Sequence, residues 1–184
     1  MLLGDYMAYA AMLQGKHVAS IPSYGPETRG GKAKCYVILS DETVDDPIAE
    51  EPDVELILNQ PSMDFLSNLR PNGLIIYNQS LIPTDVHRDD VESFGIPATQ
   101  IAEDIGKEMS TKTDTKMFAN AVMFGAFLAV CAPNLAVDPV KETLKHFLSG
   151  KKENLISLNY VAIEKGKAFV KSNPLDGGNW PYTS

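Results

Sequence analysis

The sequence predicts an α/β domain, and three observations predict it. Residues 33–39, 54–58 and 74–77 are short, nearly continuous apolar runs of the kind that form strands buried on both faces. Between and after them lie stretches whose apolar residues recur at helical spacing. The chain has 184 residues, 44% hydrophobic and 22% charged, which suits one ordinary globular domain and excludes a disordered or collagen-like chain. Buried strands interleaved with helices give a layered α/β sandwich.

Each element has its own signal. Leu3, Tyr6, Ala10 and Leu13 form the stripe of a helix lying on a core, and Gly15 is placed to end it, since glycine enters the left-handed region cheaply. Residues 17–22 are a short strand bounded by glycine and proline, and 33–39, 54–58 and 74–77 follow as core strands. Met63, Leu66 and Leu69 mark a helix closed by the turn Pro71-Asn72-Gly73. Residues 91–96 read as one more strand and 98–107 as a helix after Pro97. The stretch 115–131 is apolar nearly all round and so is expected to be a buried helix. Asp138-Pro139 reads as a helix start, with Asp as N-cap and Pro in the first turn. Gly150 precedes a last helix over 153–170. From Asn173 onward, through Asp176-Gly177-Gly178-Asn179-Trp180, periodicity is absent. The expected domain therefore covers 1–172, with 173–184 an irregular tail.

Composition excludes several classes. The longest apolar stretch, 121–133, is shorter than the ~20 residues of a spanning helix, so no membrane partner is expected. No basic region follows Met1, and Cys35 and Cys131 cannot build a disulfide framework, which points to a reducing cytoplasm. Sixteen basic and 24 acidic residues give a net charge of −8. Eight of the carboxylates (Asp41, Glu42, Asp45, Asp46, Glu50, Glu51, Asp53 and Glu55) fall in one stretch without Lys or Arg, read as a solvated turn. An acidic balance argues against a nucleic-acid partner.

Conventional catalytic signatures are absent. His17, His87 and His146 lie far apart without ligand spacing, so no metal ligand is assigned. There is no nucleophile elbow, and both cysteines read as inert core thiols. No catalytic residue is assigned. The segment Ser23-Tyr24-Gly25-Pro26-Glu27-Thr28-Arg29-Gly30-Gly31 stands out because it joins two expected core strands, near a sheet end where such folds place ligands. Its glycines permit close approach of backbone N–H groups to an anion, and Arg29 has a fork for phosphate or carboxylate that Glu27 can orient. A nucleotide P-loop is excluded, since Lys32 comes one position late and Ala33 replaces the Ser or Thr for magnesium. Composition alone leaves this loop open between an ordinary strand connection and an anion site.

That segment resembles the signature of the gamma subunit of 2-oxoacid:ferredoxin oxidoreductases, the pyruvate/ketoisovalerate oxidoreductase family, closest to the 2-oxoglutarate type. Ile38-Leu39-Ser40-Asp41-Glu42, Gly95-Ile96-Pro97-Ala98-Thr99 and Ala119-Asn120-Ala121-Val122-Met123-Phe124-Gly125-Ala126 are similar in the same order. Leu158-Asn159 with Ala162 and Gly166 is a weaker likeness, so the resemblance runs to about Lys171. It implies a three-layer α/β/α sandwich with a mostly parallel sheet, working inside a larger cytoplasmic enzyme. Such enzymes join a 2-oxoacid to coenzyme A with loss of carbon dioxide, using thiamine diphosphate with Mg2+ and iron–sulfur clusters that pass electrons to ferredoxin. The resemblance puts those cofactors mostly on alpha, beta and ferredoxin-like delta subunits and none on this chain alone. It makes Ser23, Tyr24, Gly25, Pro26, Glu27, Arg29, Gly30 and Gly31 a contribution to cofactor or interface near the active centre, joined by Asn120. Pyruvate, branched-chain 2-oxoacid and indolepyruvate enzymes carry similar domains, and a binding or scaffold module of the same fold is the alternative. One departure stands: family members usually open with a strand and a Gly-x-Gly-Gly-Gln-Gly loop before the helix that here begins near Leu2. Either the reading frame starts from an internal Met, or the subunit lacks that strand, which would expose apolar surface and unpaired backbone groups.

Overall fold

The computed structural model describes residues 1–24, 33–109, 114–150 and 155–174. The chain opens with helix α1 (Leu2–Leu13), then strands β1 (His17–Tyr24), β2 (Ala33–Ser40) and β3 (Val54–Ile57). A 3-10 segment, Gln60–Asn68, leads to β4 (Leu74–Asn78) and β5 (Glu92–Ile96). Helix α2 (Ala98–Glu108), a 3-10 turn (Thr115–Phe118), α3 (Ala119–Cys131), α4 (Val137–Leu148) and α5 (Ile156–Ser172) complete it. The architecture is α/β, as the apolar runs predict. The residues expected in the tail lie outside the described residues from 175 onward.

The strands form two sheets. β1 and β2 make an antiparallel hairpin running from His17 opposite Ser40 to Tyr24 opposite Ala33. β3, β4 and β5 form a parallel sheet in that order, with Val54 beside Leu74 and Leu74 beside Glu92. All five residues of central β4 are buried, which is why its sequence, LIIYN, is almost without polar side chains. Leu74 and Ile76 face the main core with Phe94, Ile96 and the five helices. Ile75 and Tyr77 face the other way, onto a smaller cluster of Ile57, Leu69, Ile82 and Val86. The layers are thus helices, parallel sheet, and a thinner cover made by the 3-10 segment and the loop after β4.

Three local departures have physical causes. The helix expected around Met63, Leu66 and Leu69 is a 3-10 segment: a strict spacing of three is its own period, and Pro61 and Ser62 at its start favour a tight turn. The helix expected over 115–131 opens with a 3-10 turn, so Asn120 falls in the first turn of α3. Asp138 is inside the first turn of α4, not its cap, and there complements the helix dipole. The start of α4 is held from α1 instead. Gln14 Oε1 accepts from the Ala136 N–H at 2.8 Å while Gln14 Nε2 donates to the Asn134 carbonyl at 3.1 Å.

The end of α1 follows the expected form. Gly15 takes φ +89°, the Gly15 N–H reaches the Met12 carbonyl and the Lys16 N–H reaches that of Ala11, which is the Schellman arrangement. Helix α3 is the most buried and packs tightly on α5. A Cβ on Gly125 would stand 2.1 Å from the Ile163 carbonyl oxygen, and one on Gly166 would stand 2.2 Å from that of Val122. Among the described residues no helix is long and apolar enough to cross a membrane.

Candidate functional site

Ser23 and Tyr24 end β1. Ser23 is half-buried opposite Lys34, and Tyr24 is 67% exposed opposite Ala33. Gly25, Pro26, Glu27, Arg29, Gly30 and Gly31 lie outside the described residues. Asn120 is half-buried in α3, whose neighbours are α5, α2, α1 and β4, whereas the hairpin packs on α1. Ser23 and Tyr24 thus stand on the hairpin and Asn120 on α3, elements that both pack on α1.

They do build a groove that the sequence reading missed. It lies between β2 and β3, closed by the start of α1 on one side and the 3-10 segment on the other, with a volume of about 510 Å³. That is within the ~300–1,000 Å³ of ordinary ligand sites. It runs past the carboxyl end of β3 to Leu58 and Asn59, the side on which parallel sheets take ligands. Leu3, Met7, Val37 and Leu56 give apolar walls, and Met1 lies at its lining.

The chemistry of the groove centres on Glu55. The alternation of β3 sends Val54 and Leu56 to the main core and leaves Glu55 and Ile57 buried on the opposite side. Glu55 is 9% exposed, and its Oε2 has no hydrogen-bond partner among the described residues. Burial pushes its carboxyl up to about 7, against the opposing pull of Arg88 and Lys34. Arg88 is committed elsewhere: its Nε and Nη2 hold Asp90 at 2.6 and 2.9 Å, while Nη1 and Nη2 donate to the carbonyls of Leu66 and Leu69 at 2.8 and 2.7 Å. The Lys34 ammonium is shared between two aromatic faces, 4.6 Å from the Tyr36 centroid and 5.0 Å from that of Phe65. The groove thus offers a buried carboxyl held well above the ordinary carboxylate range, two cations that act on it and apolar walls.

The acidic stretch is corrected by this geometry. Seven of its carboxylates are exposed, as a solvated turn requires, but Glu55 belongs to the sheet and is buried. The signal was a charged residue at the second place of an apolar strand. The cysteines are half-buried; burial and the nearby Asp53 push the Cys131 thiol up to about 12, so it stays protonated. Among the described residues no three His, Cys, Asp or Glu side chains gather as a metal site.

A second polar cluster caps the carboxyl end of β4. Buried Asn78 donates to Thr99 Oγ1 at 3.0 Å and accepts from the Ser80 and Thr99 N–H groups, while Ser80 Oγ accepts from the Gln100 N–H. This network ties the loop after β4 to the start of α2, and its groups satisfy one another.

Residues 1–169 match the family described as pyruvate ferredoxin/flavodoxin oxidoreductase. The chain is 34% identical over 172 residues to ketoisovalerate oxidoreductase subunit VorA of Methanothermobacter thermautotrophicus, covering 93% of this chain and 34% of that protein. It therefore spans about a third of the length of that relative. It is also 34% identical over 164 residues to 2-oxoglutarate synthase subunit KorC of Methanocaldococcus jannaschii, covering 88% of this chain and 82% of that one. The fold is similar to the crystal structure of a keto/oxoacid ferredoxin oxidoreductase gamma subunit from Geobacter sulfurreducens, with a TM-score of 0.71 and 26% identity over 93% of this chain and 90% of that one. On its sequence along nearly the whole described fold, the chain belongs to the pyruvate ferredoxin/flavodoxin oxidoreductase family.

Proposed function

We propose that this chain is the gamma subunit of a multi-subunit 2-oxoacid:ferredoxin oxidoreductase of the cytoplasm, with 2-oxoglutarate as its substrate. In that reaction the 2-oxoacid loses carbon dioxide, its acyl group passes to coenzyme A and its electrons pass to ferredoxin. The observation that carries the reading is the match over residues 1–169 to a family whose similar members are subunits. Preference for 2-oxoglutarate rests on length: the likeness to KorC covers 82% of that subunit, the likeness to VorA only 34% of that protein. With two cysteines the chain lacks the four thiolates of an ordinary iron–sulfur cluster. The clusters, thiamine diphosphate and Mg2+ are accordingly assigned to alpha, beta and ferredoxin-like delta partners. This chain's part is to shape the assembly near the active centre through residues 23–31 and Asn120.

The test is co-expression with the genes that adjoin this one, followed by ferredoxin reduction with 2-oxoglutarate, 2-ketoisovalerate and pyruvate in turn. The complex is expected to show its highest kcat/KM with 2-oxoglutarate, and the isolated chain to show no turnover and no iron–sulfur absorbance. A higher value for 2-ketoisovalerate would reassign the substrate; turnover by the chain alone would reject the subunit reading. Arg29 is assigned to a coenzyme A phosphate or a partner carboxylate. Arg29→Lys keeps the charge and loses the planar fork. It is expected to raise the coenzyme A needed for half-maximal rate, or to loosen assembly, by roughly tenfold to a hundredfold, the worth of one charge-assisted bond. Unchanged titration and unchanged elution on gel filtration would leave Arg29 as solvated loop surface.

A further inference from the structure

Three exposed apolar side chains stand together where α1 ends and α4 begins. Met12, Leu13 and Val137 are 50%, 42% and 44% exposed. Leu13 precedes Gln14, and Val137 follows Ala136, whose N–H Gln14 holds, so the two helix ends present them as one cap with exposed Pro133 and Ala136. Scattered singly, such side chains need no explanation; gathered in one place they mark a contact. The cap lies toward the amino ends of the parallel strands, since the Asp53 carboxylate, just before β3, acts on Cys131 at the end of α3. None of its residues belongs to a strand edge.

The rim of the cap is acidic. Asp41 is tied to Lys16, three residues beyond Leu13, and so brings the acidic stretch to the cap. Asp53 closes that stretch, paired with Arg70. Between them Glu42, Asp45, Asp46, Glu50 and Glu51 are exposed and form no ion pair among the described residues. Asp138 adds a carboxylate beside Val137, while the Lys141 ammonium lies over the ring of Tyr160. An apolar centre within a charged rim is the plan of a specific protein contact, and the sign of the rim decides the occupant. A second copy would set the same carboxylates against one another. Residues 174–184 contain no Lys or Arg. Residues 25–32 leave the hairpin at its other end, about 24 Å along the strands.

We infer that this cap docks a partner subunit whose matching surface is apolar at its centre and ringed by Lys and Arg. Met12, Leu13 and Val137 supply the buried contact, and the carboxylates of residues 41–53 steer and orient the encounter. The inference rests on the subunit reading above.

Two measurements on the full chain, alone and in the co-expressed complex, test it. Oxidation of Met12 by peroxide, followed by mass spectrometry, is expected to be about tenfold slower in the complex than in the free chain. Val137→Glu places a like charge at the centre of the cap, and it is expected to weaken assembly about tenfold while circular dichroism of the chain alone stays that of wild type. Glu50→Lys combined with Glu51→Lys is expected to weaken assembly severalfold and to flatten its dependence on salt. Failure to form any complex would reject the subunit reading, and this inference with it. A complex that turns over while Met12 oxidises as fast as in the free chain would overturn this inference alone. So would assembly unaffected by Val137→Glu in a folded chain. Unchanged salt dependence in the doubly substituted chain would overturn the basic ring of the partner. Protection of Met12 in the free chain that grows with its own concentration would give the cap to a second copy.

Discussion

At the scale of single residues, Glu55 makes the sharpest prediction. Its folded value of about 7 lies above the ordinary 4.5, so the folded state holds the proton more tightly than the unfolded one. Its effect on stability is therefore most favourable below about pH 4.5, declines as pH rises toward 7, and is constant above that. The full difference is on the order of 3 kcal/mol at 1.36 kcal/mol per unit. Urea denaturation at pH 5 and pH 8 should show wild type losing stability relative to Glu55→Gln across that interval. Parallel behaviour of the two proteins would mean that the carboxyl is solvated. This residue also shows what a sequence hides. Seven neighbouring carboxylates made Glu55 look like the last member of a solvated run, and only the pairing of Val54 with Leu74 reveals that it stands inside a sheet. Asn120 shows the converse: its apolar neighbours suggested full burial, but the helix starts one residue before it, at an end that is half open.

At the scale of elements, two glycine sites separate backbone conformation from space. Gly15 has φ +89° and nothing within 4 Å of a built Cβ, so Gly15→Ala is expected to cost only the left-handed backbone, about 1–2 kcal/mol. Gly166 sits within a helix, where alanine is locally preferred, yet its Cβ would meet the Val122 carbonyl at 2.2 Å. Gly166→Ala is therefore expected to force α3 and α5 apart, at the upper end of the ~1–3 kcal/mol of overpacking. For a chain of this size that lowers Tm by roughly 6–12 °C, against about 2–8 °C for Gly15→Ala, both readable by calorimetry. An undiminished Tm for Gly166→Ala would contradict the close helix approach. Elements with one dominant signal were legible: β4 from its unbroken apolar run, α1 from its stripe and Gly15, α3 from its all-round hydrophobicity. What was not legible depended on distant partners. Asp138 looked like a cap until Gln14, more than a hundred residues earlier, was seen holding the start of α4. The split into two sheets is likewise a property of pairing, on which the strand runs themselves are silent.

At the scale of the whole molecule, assembly and stability are linked. A partner that binds the folded chain and not the unfolded one stabilises it by about 2.7 kcal/mol at a hundredfold excess over Kd. In the subunit role proposed above, the Tm of this chain is expected to rise on complex formation, and in a differential scan free and assembled chains should melt separately. Coincident melting at saturating partner would mean that the contact is too weak to be a subunit interface. The resemblance in the sequence and the family match agree along nearly all of the fold, and of the segment 23–31 that carried the resemblance Ser23 and Tyr24 lie among the described residues. One amide at the end of α1 grips the start of α4 at both Asn134 and Ala136, so the two helices work as a single lever, and whatever turns the first must carry the fourth with it.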